Sequence, residues 1–160
     1  MTLEIGDSAP LISLPEGPGQ QVDVDWSAGP TVILFFPLAF SGVCTDEFCG
    51  VRDEWWSAWS DLGVKVYGIS VDSCFVSAKF RELEKIPFQM LSDFNKQVSA
   101  QWGTLLDDFF GQKGVATRAA FVVDEAGTVT HTEVMKDPGN MVDFDAIKSA
   151  VKHCHAAKSR

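Results

Sequence analysis

Thr31-Val-Ile-Leu-Phe-Phe36-Pro37-Leu-Ala-Phe-Ser41-Gly-Val-Cys44 is the stretch on which the fold of this chain turns. Its first six residues form a continuous apolar run, the pattern of a strand buried on both faces, and Pro37 ends it. A second run of this kind, Val64-Lys-Val-Tyr-Gly-Ile-Ser-Val71, lies downstream. Between the two, Phe40, Val43/Cys44, Phe48, Val51, Trp55, Trp59 and Leu62 recur every three or four residues. Asp46, Arg52, Asp53, Ser57 and Asp61 fall off that stripe. The spacing predicts a helix of about twenty residues stopped by Gly63. Two buried strands joined by one helix read as a βαβ crossover.

Working outward, Leu11–Leu14 and Gln21–Val24 are expected to pair as a hairpin around Pro15-Glu16-Gly17-Pro18-Gly19. Further helices are expected at Phe75–Glu84, with Asp72 or Ser73 as N-cap, and at Phe94–Trp102. Arg118–Asp124 and Thr128–Met135 flank Glu125-Ala126-Gly127, a hairpin signature, and a last helix is expected from Val142 to His155. Strands alternating with helices place the chain in the α/β class, a mixed sheet covered by helices.

At 160 residues the chain reads as a single domain, residues 1–160, long enough to bury a core without staples. Hydrophobic content of 46% with 22% charged residues excludes disordered, collagen-like and coiled-coil classes. The balance of 13 basic against 22 acidic residues argues against a nucleic-acid or anionic-membrane partner. The longest apolar run, Thr31 to Phe40, is broken by Pro37 and falls short of the ~18 residues a spanning helix needs. Met-Thr-Leu-Glu-Ile-Gly-Asp has no basic n-region, so it does not read as a signal peptide. The expectation is a soluble, cytoplasmic protein.

Four cysteines, Cys44, Cys49, Cys74 and Cys154, are too few and too scattered for a disulfide scaffold. Cys44 opens the long helix. A cysteine in a first helical turn faces unpaired N–H groups and the positive end of the macrodipole, which favour the nucleophilic thiolate. The simpler alternative is a small apolar residue on the helix stripe. Ser41, three residues earlier, carries a hydroxyl that can donate and accept at once.

Phe35-Phe36-Pro37-Leu-Ala-Phe-Ser41-Gly-Val-Cys44-Thr-Asp-Glu47 resembles the active-site loop of the peroxiredoxins: a Pro, a Thr or Ser and a Cys at these spacings, with Glu three residues on. Ile5-Gly-Asp-Ser-Ala-Pro10, Val66–Asp72 and Thr117-Arg118-Ala-Ala-Phe-Val-Val-Asp124 are similar to other segments of that family, so the resemblance spans nearly the whole chain. It implies a thioredoxin-like fold with an N-terminal hairpin extension, and thiol-dependent reduction of hydrogen peroxide and organic hydroperoxides. Cys44 would attack the terminal peroxide oxygen and become a sulfenic acid. Arg118 would hold the thiolate and stabilise the leaving oxygen. Ser41 would hold the peroxide and Pro37 would shield the sulfur from water. Ser41 stands where the family more often has Thr; without the β-methyl, peroxide positioning is expected to be looser and the rate lower.

Cys49 lies at the spacing of resolving cysteines in the bacterioferritin-comigratory (Q-type) peroxiredoxins, while Phe-Phe-Pro-Leu-Ala-Phe resembles the one-cysteine alkyl hydroperoxide reductase E type. Five helical residues turn through about 500°, leaving the two side chains about 140° apart, so Cys44 and Cys49 cannot bond without local unwinding. Cys74 and Cys154 read as packing residues. His153-Cys154-His155 with Cys44 and Cys49 lacks the tight ligand pairs of a zinc site, and no metal or cofactor is expected. His131 is expected to face solvent, Trp55 and Trp59 to be core, and Trp56 to lie off the stripe. The expected partners are a hydroperoxide, a thioredoxin-like or low-molecular-weight thiol reductant, and a second copy in a homodimer. A thioredoxin-like disulfide reductase would need a closer dithiol; a non-catalytic redox-sensing or binding module on the same fold is the other alternative.

Overall fold

The computed structural model describes residues 3–158, with side chains described as far as residue 154. Thr31–Phe35 forms β3, and all five of its residues are buried, as the apolar run requires. It lies at the centre of a five-stranded sheet. Lys65–Ser70 (β4) pairs parallel to β3, and Gln89–Ser92 (β5) pairs parallel to β4. Ala119–Val123 (β6) runs antiparallel to β3, and Val129–Val134 (β7) closes the expected hairpin. Ser13–Gly17 (β1) and Gln20–Asp23 (β2) make a separate two-stranded sheet.

Alternation along β3 sorts the core into two layers. Val32 and Leu34 join Phe36, Phe48, Trp59, Phe80 and Val151 on one face; Ile33 and Phe35 join Ile12, Trp26, Trp102 and Phe121 on the other. Each fully buried aromatic or aliphatic side chain there is worth about 1.5–3 kcal/mol.

The long helical path runs from Gly42 to Asp61 but is not one α-helix. Gly42–Gly50 (α1) and Trp56–Asp61 (α2) are separated by a π-type segment, Val51–Trp55. Gly63 ends it as expected: at φ 72° it lets its own N–H reach the Ser60 carbonyl and the Val64 N–H reach that of Trp59. Phe40 corrects the stripe. It sits before the helix at φ 69°, half exposed, with its ring against Phe80.

Two other expectations need correction. Pro15-Glu16-Gly17 is strand rather than turn; a bulge between Pro15 and Gly17 accommodates the proline, and the chain reverses at Pro18-Gly19. The helix expected over Phe94–Trp102 shrinks to Gln97–Gln101 (α4), because Lys96 is left-handed. The Asp93 carboxylate takes the N–H groups of Val98 and Ser99. Of the two expected N-caps, Ser73 is the one that caps Cys74–Leu83 (α3), accepting from the Val76 N–H. Phe144–Lys158 is α5. Among the described residues no helix is long and apolar enough to cross a membrane.

Candidate active site

The topology brings three chain segments together at one end of the central strands. Because β6 is antiparallel to β3, the residue entering β6 meets the residue leaving β3: Ala119 pairs with Phe35. Arg118 therefore stands beside the loop 36–41 and the start of α1. Its backbone carbonyl accepts from Met135, and the Thr117 hydroxyl donates to the Met135 carbonyl, which fixes the direction of the guanidinium.

Cys44 is the third residue of α1 and is wholly buried. Arg118 Nη2 donates to its Sγ at 3.2 Å, and Nε donates to the Pro138 carbonyl at 2.9 Å. Arg118 itself is only 1% exposed. Cys44 belongs to the core layer and also faces a permanent cation. The third arm of the guanidinium, Nη1, lies 3.4 Å from Glu47 Oε1, one helical turn beyond Cys44. That contact is a close approach without hydrogen-bond geometry, for Nη1 and both Glu47 oxygens have no hydrogen-bond partner.

Burial pushes the Glu47 carboxyl up to about 7, with Arg118 pulling the other way. The native state thus keeps a proton that the unfolded chain releases near 4.5. Stability falls as pH rises through that window, by about 3 kcal/mol for this group. Glu47→Gln carries no proton equilibrium, so between pH ~5 and pH ~8 its urea midpoint should fall much less than that of the wild type. Parallel profiles for the two proteins would show that Glu47 ionises normally.

The loop before α1 is held from β4. Asp72 Oδ2 accepts from the Ala39 N–H at 2.7 Å and from the Ser70 hydroxyl at 2.6 Å. Burial raises the Asp72 carboxyl and these two donors lower it. Pro37 is buried in this loop. Ser41 is the N-cap of α1 by position but makes no capping bond; its hydroxyl donates to the Leu38 carbonyl at 2.8 Å. Its oxygen keeps acceptor capacity. Ser41, Gly42 and Val43 open on a cavity of about 410 Å³ also lined by Phe109, Phe110 and Pro138.

The other candidates lie apart. Cys49 is partly buried on α1, with Sγ donating to Glu84 Oε2 at 3.3 Å. Cys74 begins α3, and Cys154 packs in the core near the Thr130 hydroxyl. The side chain of His155 lies outside the described residues. His131 is not solvent-facing: it pairs with Glu133 at 2.8 Å and is 16% exposed. Trp59 is core, whereas Trp55 is half-buried against Phe144. Trp56 packs on Phe88.

Glu47 and Asp72 are the site residues that the sequence did not assign. Glu47 had a signal, since a carboxylate three residues after Cys44 shares its helix face. The Asp72 contact spans 33 residues and had none.

Residues 5–132 match the family model described as AhpC/TSA. A Coxiella burnetii protein named as a peroxiredoxin of the bcp type is 39% identical over 134 residues, covering 81% of this chain and 87% of the relative. Escherichia coli peroxiredoxin Bcp is 35% identical over 133 residues, covering 81% and 84%. Among solved structures, peroxidoxin BcpB from Mycobacterium tuberculosis superimposes with a TM-score of 0.80 at 27% identity, covering 96% and 97%.

Proposed function

The chain belongs to the AhpC/TSA family, and from that membership we propose that its thiol peroxidase chemistry runs through Cys44, supported by Arg118, Ser41 and Pro37. The protein is a peroxiredoxin, with the thioredoxin-like fold of that group, and reduces hydroperoxides at the expense of a thiol. The observation that carries the assignment of Cys44 is its 3.2 Å contact with the Arg118 guanidinium, buried at the N-terminal turn of α1. The Cys44 thiolate attacks the terminal oxygen, the O–O bond breaks, and the sulfur becomes a sulfenic acid while water or an alcohol leaves. Nη2 follows the sulfur and stabilises charge on the leaving oxygen, a role suited to a rigid cationic fork. The Ser41 oxygen accepts from the peroxide O–H, and Pro37 keeps water from the sulfur.

Cys49 then resolves the sulfenic acid as an intramolecular disulfide. The bcp-type names of the relatives support this over the one-cysteine alternative. Both cysteines lie in α1, about 7.5 Å apart along its axis, beyond the ~7 Å a disulfide spans between Cα atoms. The helix must open first. A thioredoxin-like protein or a low-molecular-weight thiol returns the enzyme to its reduced form, in the cytoplasm, and the working unit is a homodimer.

Non-reducing peptide mapping after one equivalent of hydrogen peroxide tests the pathway. The expected product joins the Cys44 and Cys49 peptides, and Cys49→Ser accumulates Cys44 sulfenic acid instead. A lasting sulfenic acid in the wild type would make this a one-cysteine enzyme. Oxidation confined to Cys74 or Cys154 would remove Cys44 from its role.

A further inference from the structure

Cys49 is held by one residue of another helix, and so is the segment that follows it. Its Sγ donates to the Glu84 carboxylate at 3.3 Å. Arg52, in the π-type segment, donates through Nη1 to the backbone carbonyl of the same Glu84. The rest of the Arg52 guanidinium grips Asp53, with Nε at 2.7 Å and Nη2 at 3.0 Å from its carboxylate. Glu84 is the C-cap of α3 and half-buried, and its hydrogen bonds to Cys49 and Arg52 are separate from those of the Cys44–Arg118–Glu47 cluster. Two anchors, one on each side of Gly50, therefore tie the end of α1 to a single point on α3. A π-type turn lies between α1 and α2, where a helix most readily changes its hydrogen-bonding register.

The geometry points to Glu84 as a latch, a positioning residue that parks Cys49 as a hydrogen-bonded thiol and must release it before the Cys44–Cys49 disulfide can form. This rests on Cys49 being the resolving cysteine. While the latch holds, α1 stays wound and Cys44 stays against Arg118 for the reaction with peroxide. Burial and the Glu84 carboxylate both push the Cys49 thiol up, with the Arg52 charge opposing, so the parked sulfur is also a poor nucleophile. Once released, Cys49 gives up its proton and its sulfur attacks the sulfenic sulfur of Cys44. The S–S bond forms as the S–O bond breaks, and the departing hydroxide takes a proton and leaves as water. Cys49 is oxidised and Cys44 reduced, so no further oxidant is needed.

The test separates the two steps by stopped-flow tryptophan emission after mixing reduced enzyme with hydrogen peroxide, with disulfide formation confirmed by quenched mass analysis. Glu84→Ala removes the acceptor, and its disulfide-forming phase should be about fivefold faster than that of the wild type. Glu84→Gln keeps an oxygen but loses the charge, so its acceleration should be smaller. The first phase, oxidation of Cys44, should stay within about twofold, whereas general loosening of the fold would change both phases together. Hydrogen exchange of reduced α1 reads the latch directly: exchange should be faster in Glu84→Ala, and the substitution should add nothing in a Cys49→Ser background. An unchanged or slower second phase would overturn the latch, the slower one making Glu84 a base for Cys49. A wild type that forms no Cys44–Cys49 bond would remove the resolving role of Cys49. In that event unchanged α1 exchange in Glu84→Ala would overturn the latch as well.

Discussion

Arg118→Lys should lower the second-order rate constant for hydrogen peroxide by about 10²–10³-fold. The guanidinium does three things with three arms: it donates to Cys44 Sγ, donates to the Pro138 carbonyl, and faces Glu47. A lysine ammonium is a single point of charge on a flexible stem, and it cannot meet three partners in fixed directions. It would also be buried where Arg118 is only 1% exposed, beside a carboxyl that itself resists ionising. Charge would be kept in composition and lost in position. The check is stopped-flow oxidation under pseudo-first-order peroxide, with circular dichroism showing that the variant is folded. A rate within about threefold of the wild type would mean that the fork has no part in the chemistry.

The same three-armed arrangement shows what was legible in the sequence. The Cys44 loop was readable because its parts are neighbours in the chain: Pro37, Ser41, Cys44 and Glu47 fall within eleven residues. Arg118 was not readable locally. Before a strand, an arginine is ordinarily a surface cation, and only the family pattern singled it out; its position comes from the antiparallel pairing of β6 with β3. The burial of Glu47 followed from no periodicity, because the helix stripe counts apolar residues and passes over a carboxylate among them.

The fold was legible where hydrophobic runs were long. β3, β4 and the β6–β7 hairpin appeared close to their observed limits, as did α5. Gln89-Met-Leu-Ser92 did not, having no β-branched or aromatic residue to mark it as a strand. It pairs because β4 offers it an open edge. The π-type segment was invisible for another reason: spacing of three and four residues continues through Val51, Trp55 and Trp59, whichever hydrogen-bond register the backbone takes. Phe40 carried no glycine to announce its left-handed conformation, and its ring is held instead by Phe80. The Cys49–Glu84 contact joins residues 35 apart, a separation that no local pattern encodes.

Two of these failures, Phe40 and the π-type segment, fall beside the candidate site. Irregular backbone at Phe40 and at Val51–Trp55 brackets α1, the element that carries both Cys44 and Cys49. A longer, regular helix would fit the stripe better and would fix Cys49 away from Cys44.

The measurement that bears most directly on Cys44 as the peroxide-reducing sulfur is a stoichiometric titration of reduced enzyme with hydrogen peroxide. Thiols are counted after rapid quenching, with Cys44→Ser alongside. All four cysteines are free in the resting chain. The wild type should consume one peroxide for each pair of thiols lost, and Cys49→Ser should consume it as fast. Cys44→Ser should consume none above the slow background of an ordinary thiol, since its hydroxyl cannot accept the peroxide oxygen. A Cys44→Ser protein that removes peroxide at the wild-type rate would contradict the assignment outright.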